Sequence, residues 1–460
     1  MVRVSVDECL ARVEEIDRPD TVVALRSVIA IDPDAETRTR RVARDDAPLA
    51  GVPVLVKDNI EAEGLPGTAG SLALHDVPTK ESTVVERLRR AGAIVVGAAN
   101  LSEWANIRST RSSSGWSAVG GLVSNPWMLD RSAGGSSSGS GAAVAAGIVS
   151  MAVGTETDGS ITCPAALNGV VGIKPTVGLV PTDGVVPVSG SQDTPGPLAR
   201  CVEDAAAMLA VVADDPALVD RSRRVDVASL RLGVVDAWRT GHADTDAVFD
   251  QVLSAIGSLF ARVVGAGIEP TPTEVSIDEY EVLVHELRSD LDAYLARRCR
   301  SRGPRSLADV VAFNRENADR ELVHFGQDIF ERAANCSGRD APEYVAARSR
   351  NVDWVRTRVE PFLVDHDVLV APAYAPAWKT DFLLGHPAAG GQVTSPAAIA
   401  GWPIVTVPMG MVAGLPVALS LVAGPRSEAA LVAVARAIEE RLGLVLDPEW
   451  RPRFVAPSRG

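Results

Sequence analysis

The apolar positions of this chain fall into runs of two kinds. Short β-branched stretches bounded by Gly, Pro or Asn, "VPVLVKDNI" at 52–60 and "AIVVGAAN" at 93–100, read as buried strands, and "SMAV" at 150–153 as another. Between the first two, "STVVERLRRAGA" places Val84, Val85 and Leu88 at helical spacing, with Gly92 positioned to close the helix. Strand, helix and strand in that order predict an α/β sheet. Further on, "LARCVEDAAAMLAVVAD" (198–214) reads as a helix and "LRLGVVD" (230–236) as a strand. Helical periodicity dominates from about 240 to 362, as in "IDEYEVLVHELRSDLDAYLARRC" (277–299), before strand signals return in "HDVLVAPA" and "WPIVTVPMG". No internal repeat or long linker intervenes, so we expect one domain over 1–460, with a mainly helical subregion between two α/β halves.

Composition narrows the class. The 460 residues are 46% hydrophobic and 23% charged, enough apolar material for a large core. A net charge of −14, from 59 acidic against 45 basic residues, disfavours nucleic acid or an anionic membrane as the main partner. Cys9, Cys163, Cys201, Cys299 and Cys336 are scattered, with no CxxC, so neither a disulfide framework nor a zinc site is expected. The first residues lack the apolar core of a signal peptide, and no run of 18 apolar residues occurs, which predicts a soluble cytoplasmic protein.

Two serine-glycine clusters carry the candidate chemistry: "GGSSSGSG" at 134–141 and "ETDGS" at 156–160. Gly and Ser are common in loops, so either cluster alone is a weak signal. Gly135 to Gly139 matches a G-x-S-x-G elbow with Ser137 as nucleophile, but that elbow needs a preceding strand, and "NPWMLDRSAG" is turn-like. His242, His285, His324, His366 and His386 form no triad pattern, and the cluster lacks the Gly-Lys-Ser/Thr of a phosphate loop. It does suit the start of a helix buried on all sides, "GAAVAAGIVSMAVG", with serines to cap its free N–H groups. In the second cluster Ser160 follows a strand, and the N–H groups of Thr157, Asp158, Gly159 and Ser160 form a nest suited to an oxyanion. Serine needs a base. Lys57, at the end of the apolar run "VPVLVK", can serve if burial lowers its pKa by roughly three units from about 10.4.

A lysine, a serine cluster and a second serine in this order resemble the amidase signature family, most closely stand-alone bacterial amidases of the peptide amidase type. The likeness extends through "LAGVPVLVKDNIEAEGLPGTAGSLAL", "NPWMLDRSAGGSSSGSGAAVAAG", "AVGTETDGSITCPAALNGVVGIKPTVGLVP" and "SPAAIAGWPIVTVPMG". The resemblance implies a large mixed twisted β-sheet covered by helices on both faces. It implies Lys57 as terminal base, Ser136 as a bridging serine after a cis peptide bond, and Ser160 as nucleophile, with Ser137 a neighbour. Thr157 to Ser160 would supply the oxyanion hole. Trp104, Ala105, Asn106, Ile107, the stretch Ser112 to Trp116, Gln192 and Asp193 would line the substrate pocket. The reaction implied is hydrolysis of a small-molecule carboxylic amide without metal or organic cofactor; a homodimer is common among such proteins. Many members have Gly where this chain has Asp158, which bears on substrate type. The rival readings are acyl transfer to an amine, ester hydrolysis, assembly into a tRNA-dependent amidotransferase, or a silent subunit that only binds a partner.

Overall fold

The computed structural model describes residues 4–44, 46–386 and 392–453. Its strands are β1 (Val28–Ile31), β2 (Pro53–Lys57), β3 (Ile94–Ala99), β4 (Trp116–Ser117), β5 (Gly121–Leu122), β6 (Met151–Glu156), β7 (Val171–Lys174), β8 (Thr194–Ala199), β9 (Arg231–Val234), β10 (Arg262–Gly265), β11 (Val368–Pro372), β12 (Ile404–Val412) and β13 (Leu415–Val422). β4 and β5 form a separate hairpin, and the others make an 11-stranded sheet in the order β1-β3-β2-β6-β8-β7-β12-β13-β11-β9-β10. The sheet is mixed: β2 runs parallel to β3 and β6, whereas β8 is antiparallel to both β6 and β7.

The unbroken apolar run of β2 follows from its central place, since a strand covered on both faces has no solvent side to mark with polar residues. Val54 and Val56 enter one core with Val84, Val85 and Leu88 of the helix Thr83–Arg90. Leu55 points to the opposite face and packs with Ala142 and Val144 of the helix Ser138–Ala145. Helices therefore cover both faces, as expected. The helix Thr83–Arg90 starts at Ser82, whose side chain accepts from Val85 N–H, and is followed by Gly92 with φ +81°. A third apolar cluster joins Trp104 to Leu287, Leu291 and Phe330, so the helical stretch beginning with the helix Thr273–Arg298 packs against the segment after β3.

Two expectations need correcting. The helix expected from 198 begins at Val202, because Leu198 and Ala199 end β8, paired with Ala152 and Met151. "TPGPLA" is an unusual central strand, but β7 pairs with it only at Leu198 and Ala199, so Pro195 and Pro197 interrupt no ladder on that side. Second, the residue before the helix Ser138–Ala145, Ser137, makes no side-chain cap; its hydroxyl is used elsewhere. Among the described residues no helix is long and apolar enough to cross a membrane.

Candidate active site

Parallel pairing brings the C-terminal ends of β2 and β6 side by side, the position at which α/β sheets present functional groups. Lys57 closes β2 and is fully buried. Its Nζ lies 2.8 Å from Ser136 Oγ, 2.8 Å from Thr155 Oγ1 and 3.2 Å from the Thr155 carbonyl. Burial lowers the lysine from 10.5 to about 7, while the charges of Asp193 and Glu156 pull weakly the other way. A neutral amine has two N–H bonds and one lone pair. The two oxygens of Thr155 can take the N–H bonds, which leaves the lone pair for the Ser136 hydroxyl. Asn59 Nδ2 donates to the same Thr155 Oγ1 at 3.0 Å and fixes that side chain.

The three adjacent serines are separated by what each faces. Ser136 follows a cis Gly135–Ser136 peptide bond and points to Lys57. Ser137 turns to the backbone of β6: its Oγ donates to the Thr155 carbonyl at 3.1 Å and accepts from the Thr155 N–H at 3.2 Å. Ser138 Oγ donates to the Gly134 carbonyl at 2.6 Å. The structure thus gives Ser137 a structural task and leaves Ser136 beside the lysine.

Ser160 lies between β6 and the helix Thr162–Asn168. Its carbonyl accepts from Ser137 N–H at 3.1 Å, which ties the two serine loops together. Its hydroxyl makes no hydrogen bond among the described residues, and the structure does not join it to Ser136 Oγ. Glu156 shapes the turn, with Oε2 accepting from the N–H groups of Ile161 (2.6 Å) and Thr162 (2.8 Å) at the helix start. Gly159 has φ +80°, and a Cβ there would sit 2.5 Å from Tyr374 Oη, so both conformation and space require glycine. The N–H groups of residues 157–160 have no intramolecular acceptor among the described residues, as an anion-binding nest requires.

The residues expected to line a pocket divide. Trp104, Ala105 and Ile107 border a narrow cleft with Asn59, Leu287 and Phe330, Trp104 meeting Phe330 edge-on at 5.6 Å. Asn106 does not border that cleft; it completes three successive left-handed residues with φ 49°, 53° and 72° at 104–106. Arg108, fully buried between Glu103 and Glu321 and 4.3 Å from the Phe325 ring, anchors this segment. Gln192 and Asp193 are committed to protein partners. Gln192 Nε2 donates to Glu279 Oε1 at 3.0 Å. Asp193 accepts Thr157 Oγ1 at 2.6 Å and the N–H groups of Val188 and Ser189 at 2.8 and 2.9 Å. In the stretch 112–116, Ser114 N–H donates to His386 Nε2 at 2.6 Å, and Trp116 stacks edge-on against Phe325. Sequence reasoning did not single out Thr155, Glu156, Asn59, Ser395, Glu279 or Tyr374; all but Tyr374 stand in quoted stretches, but no local signal marks what they do.

Comparison with known proteins gives the family and the fold. The amidase family model matches residues 5–432. A probable amidase of Arabidopsis thaliana is 34% identical over 434 residues, covering 89% of this chain and 79% of that protein. One subunit of the glutamyl-tRNA(Gln) amidotransferase of Symbiobacterium thermophilum is 34% identical over 455 residues, covering 94% and 91%. The native peptide amidase of Stenotrophomonas maltophilia has a TM-score of 0.89 at 40% identity, covering 96% of this chain and 94% of that one.

Proposed function

This chain belongs to the amidase family, and from that premise we propose that it hydrolyses a linear carboxylic amide through an acyl-serine intermediate. Neutral Lys57 takes the Ser136 proton as Ser136 takes that of Ser160, and Ser160 Oγ attacks the amide carbonyl. The reading requires the unbonded Ser160 hydroxyl to rotate onto Ser136. The developing oxyanion is met by the N–H groups of residues 157–160, preset by Thr157–Asp193, Glu156 and Gly159. Ser136 returns its proton to the departing amine, and water then attacks the acyl-serine by the reverse relay. No step calls on a metal or organic cofactor.

The observation that carries this reading is the 2.8 Å contact between Ser136 and a lysine that burial holds near neutrality. Its test is mass-spectrometric mapping of a small fluorophosphonate in the native protein and in Lys57→Ala. Label on Ser160 that disappears without Lys57 is expected; label on Ser137 would refute the assignment. The similarity to one subunit of an amidotransferase supports a second reading, acyl transfer to an amine or action within an assembly. Product analysis with added amine, together with the search for co-purifying proteins, separates it from hydrolysis.

A further inference from the structure

The nucleophile loop is clasped from two sides. Thr157 Oγ1 donates to Asp193, and Asp158 Oδ2 accepts from Ser395 Oγ at 3.0 Å. The carboxyl of Asp158 also lies within hydrogen-bonding reach of Glu279, on the helix Thr273–Arg298. Glu279 in turn accepts from Gln192, the neighbour of Asp193, so the contacts close a ring: Thr157, Asp193, Gln192, Glu279, Asp158. Glu279 is 5% exposed, and Asp158 Oδ1 is buried with no hydrogen-bond donor. Two charged carboxylates in such a place repel each other, which favours a single proton shared between them.

We propose that Asp158 and Glu279 are positioning residues that act as a one-proton clasp, holding the nucleophile loop against the helix Thr273–Arg298 while the proton is shared and releasing it when solvent base removes that proton. The inference rests on the functional reading above, because the loop supplies Ser160 and the oxyanion donors. Burial raises the pKa of both groups, which favours the protonated form of the pair. The other titratable groups facing the pair are Lys174, Glu156 and Tyr374. Lys174 donates to the Trp402 carbonyl at 2.6 Å and is lowered by burial to about 8. It is therefore the group whose own titration must be told apart from that of the pair.

The test is the rate of Ser160 modification by a fluorophosphonate from about pH 6 to about pH 10, with circular dichroism at each pH. The native protein should gain rate through the Lys57 titration and then lose it on the alkaline side. Glu279→Gln and Asp158→Asn, whose amides keep a hydrogen bond without a proton to lose, should retain the rise and lack the fall. Glu279→Ala should react about tenfold more slowly than Glu279→Gln near neutrality, the loss expected when one of several supports is removed. A native profile with no alkaline fall, or a fall that survives in both amide variants as titration of Lys174 would give, overturns the clasp. Absence of label on Ser160 at every pH would instead refute the nucleophile assignment itself.

Discussion

Replacing Lys57 with methionine should reverse the sign of its effect on stability between acid and alkaline pH. In the unfolded chain the lysine titrates near 10.5 and in the folded protein near 7. Above 10.5 it is neutral in both states and burial costs nothing; as pH falls toward 7 the unfolded state takes up a proton that the folded state refuses, so stability drops. At about 1.4 kcal/mol per unit, the folded state loses about 4 kcal/mol from this group between pH 10 and pH 6. Methionine removes that pH-dependent cost. The oxygens of Thr155 keep Ser137 and Asn59 as donors, so only Ser136 Oγ loses its partner, a penalty of roughly 1–3 kcal/mol. Lys57→Met should therefore be less stable than the native protein near pH 10 and more stable near pH 6. Urea unfolding followed by tryptophan fluorescence, taken as the difference between the two proteins, isolates this group from all others. A difference that stays constant across that range would show that Lys57 is not held near neutrality, and would remove it as the base. The companion expectation is an acid limb in kcat/KM with its midpoint near 7.

Ser137→Ala should keep fluorophosphonate label on Ser160 yet lose about 1–3 kcal/mol in urea unfolding, because the buried Thr155 N–H loses its acceptor. Gly159→Ala should lower kcat by about a hundredfold, since a displaced loop misaims its oxyanion donors, and Tyr374→Phe in the same protein should recover part of the loss by removing the hydroxyl that the new methyl meets. Full activity in Gly159→Ala would contradict the nest. Arg108→Met should cost about 3–5 kcal/mol by leaving Glu103 and Glu321 buried without their cation, and a thermal midpoint equal to that of the native protein would show the ion cluster to be dispensable.

Lys57 was legible because a lysine at the end of an apolar strand with no polar alternation has nowhere wet to go. Ser136, Ser137 and Ser138 were not separable by pattern; the choice of Ser136 came from resemblance, and its physical basis, the different groups that the three hydroxyls face, exists only after β6 is in place. β8 escaped pattern reading because Pro195, Gly196 and Pro197 are breaker residues in any local window; Gly196 is tolerated there, and needed, because a Cβ would overlap the Ile173 carbonyl. The protein partners of Gln192 and Asp193 are not legible in the sequence, since a local pattern does not show which polar groups the fold itself satisfies. Glu279 lies far along the chain on a helix whose periodicity reports only its apolar face, and nothing local announces a carboxyl turned toward Asp158.

β6 is paired with β2 only as far as Val153, and Thr155 lies beyond the last pair. A residue in mid-strand spends its peptide groups on neighbours; Thr155, having outrun its parallel neighbour, offers its N–H and carbonyl to Ser137 and its carbonyl and hydroxyl to Lys57. The unequal length of two adjacent strands is thus the address of the Lys57 amine, written in the backbone before any loop is specified. Slipping β2 by one residue would present Val56 or Asp58 at that address, with side chains turned to the other face, and no rearrangement of the serine loops would compensate.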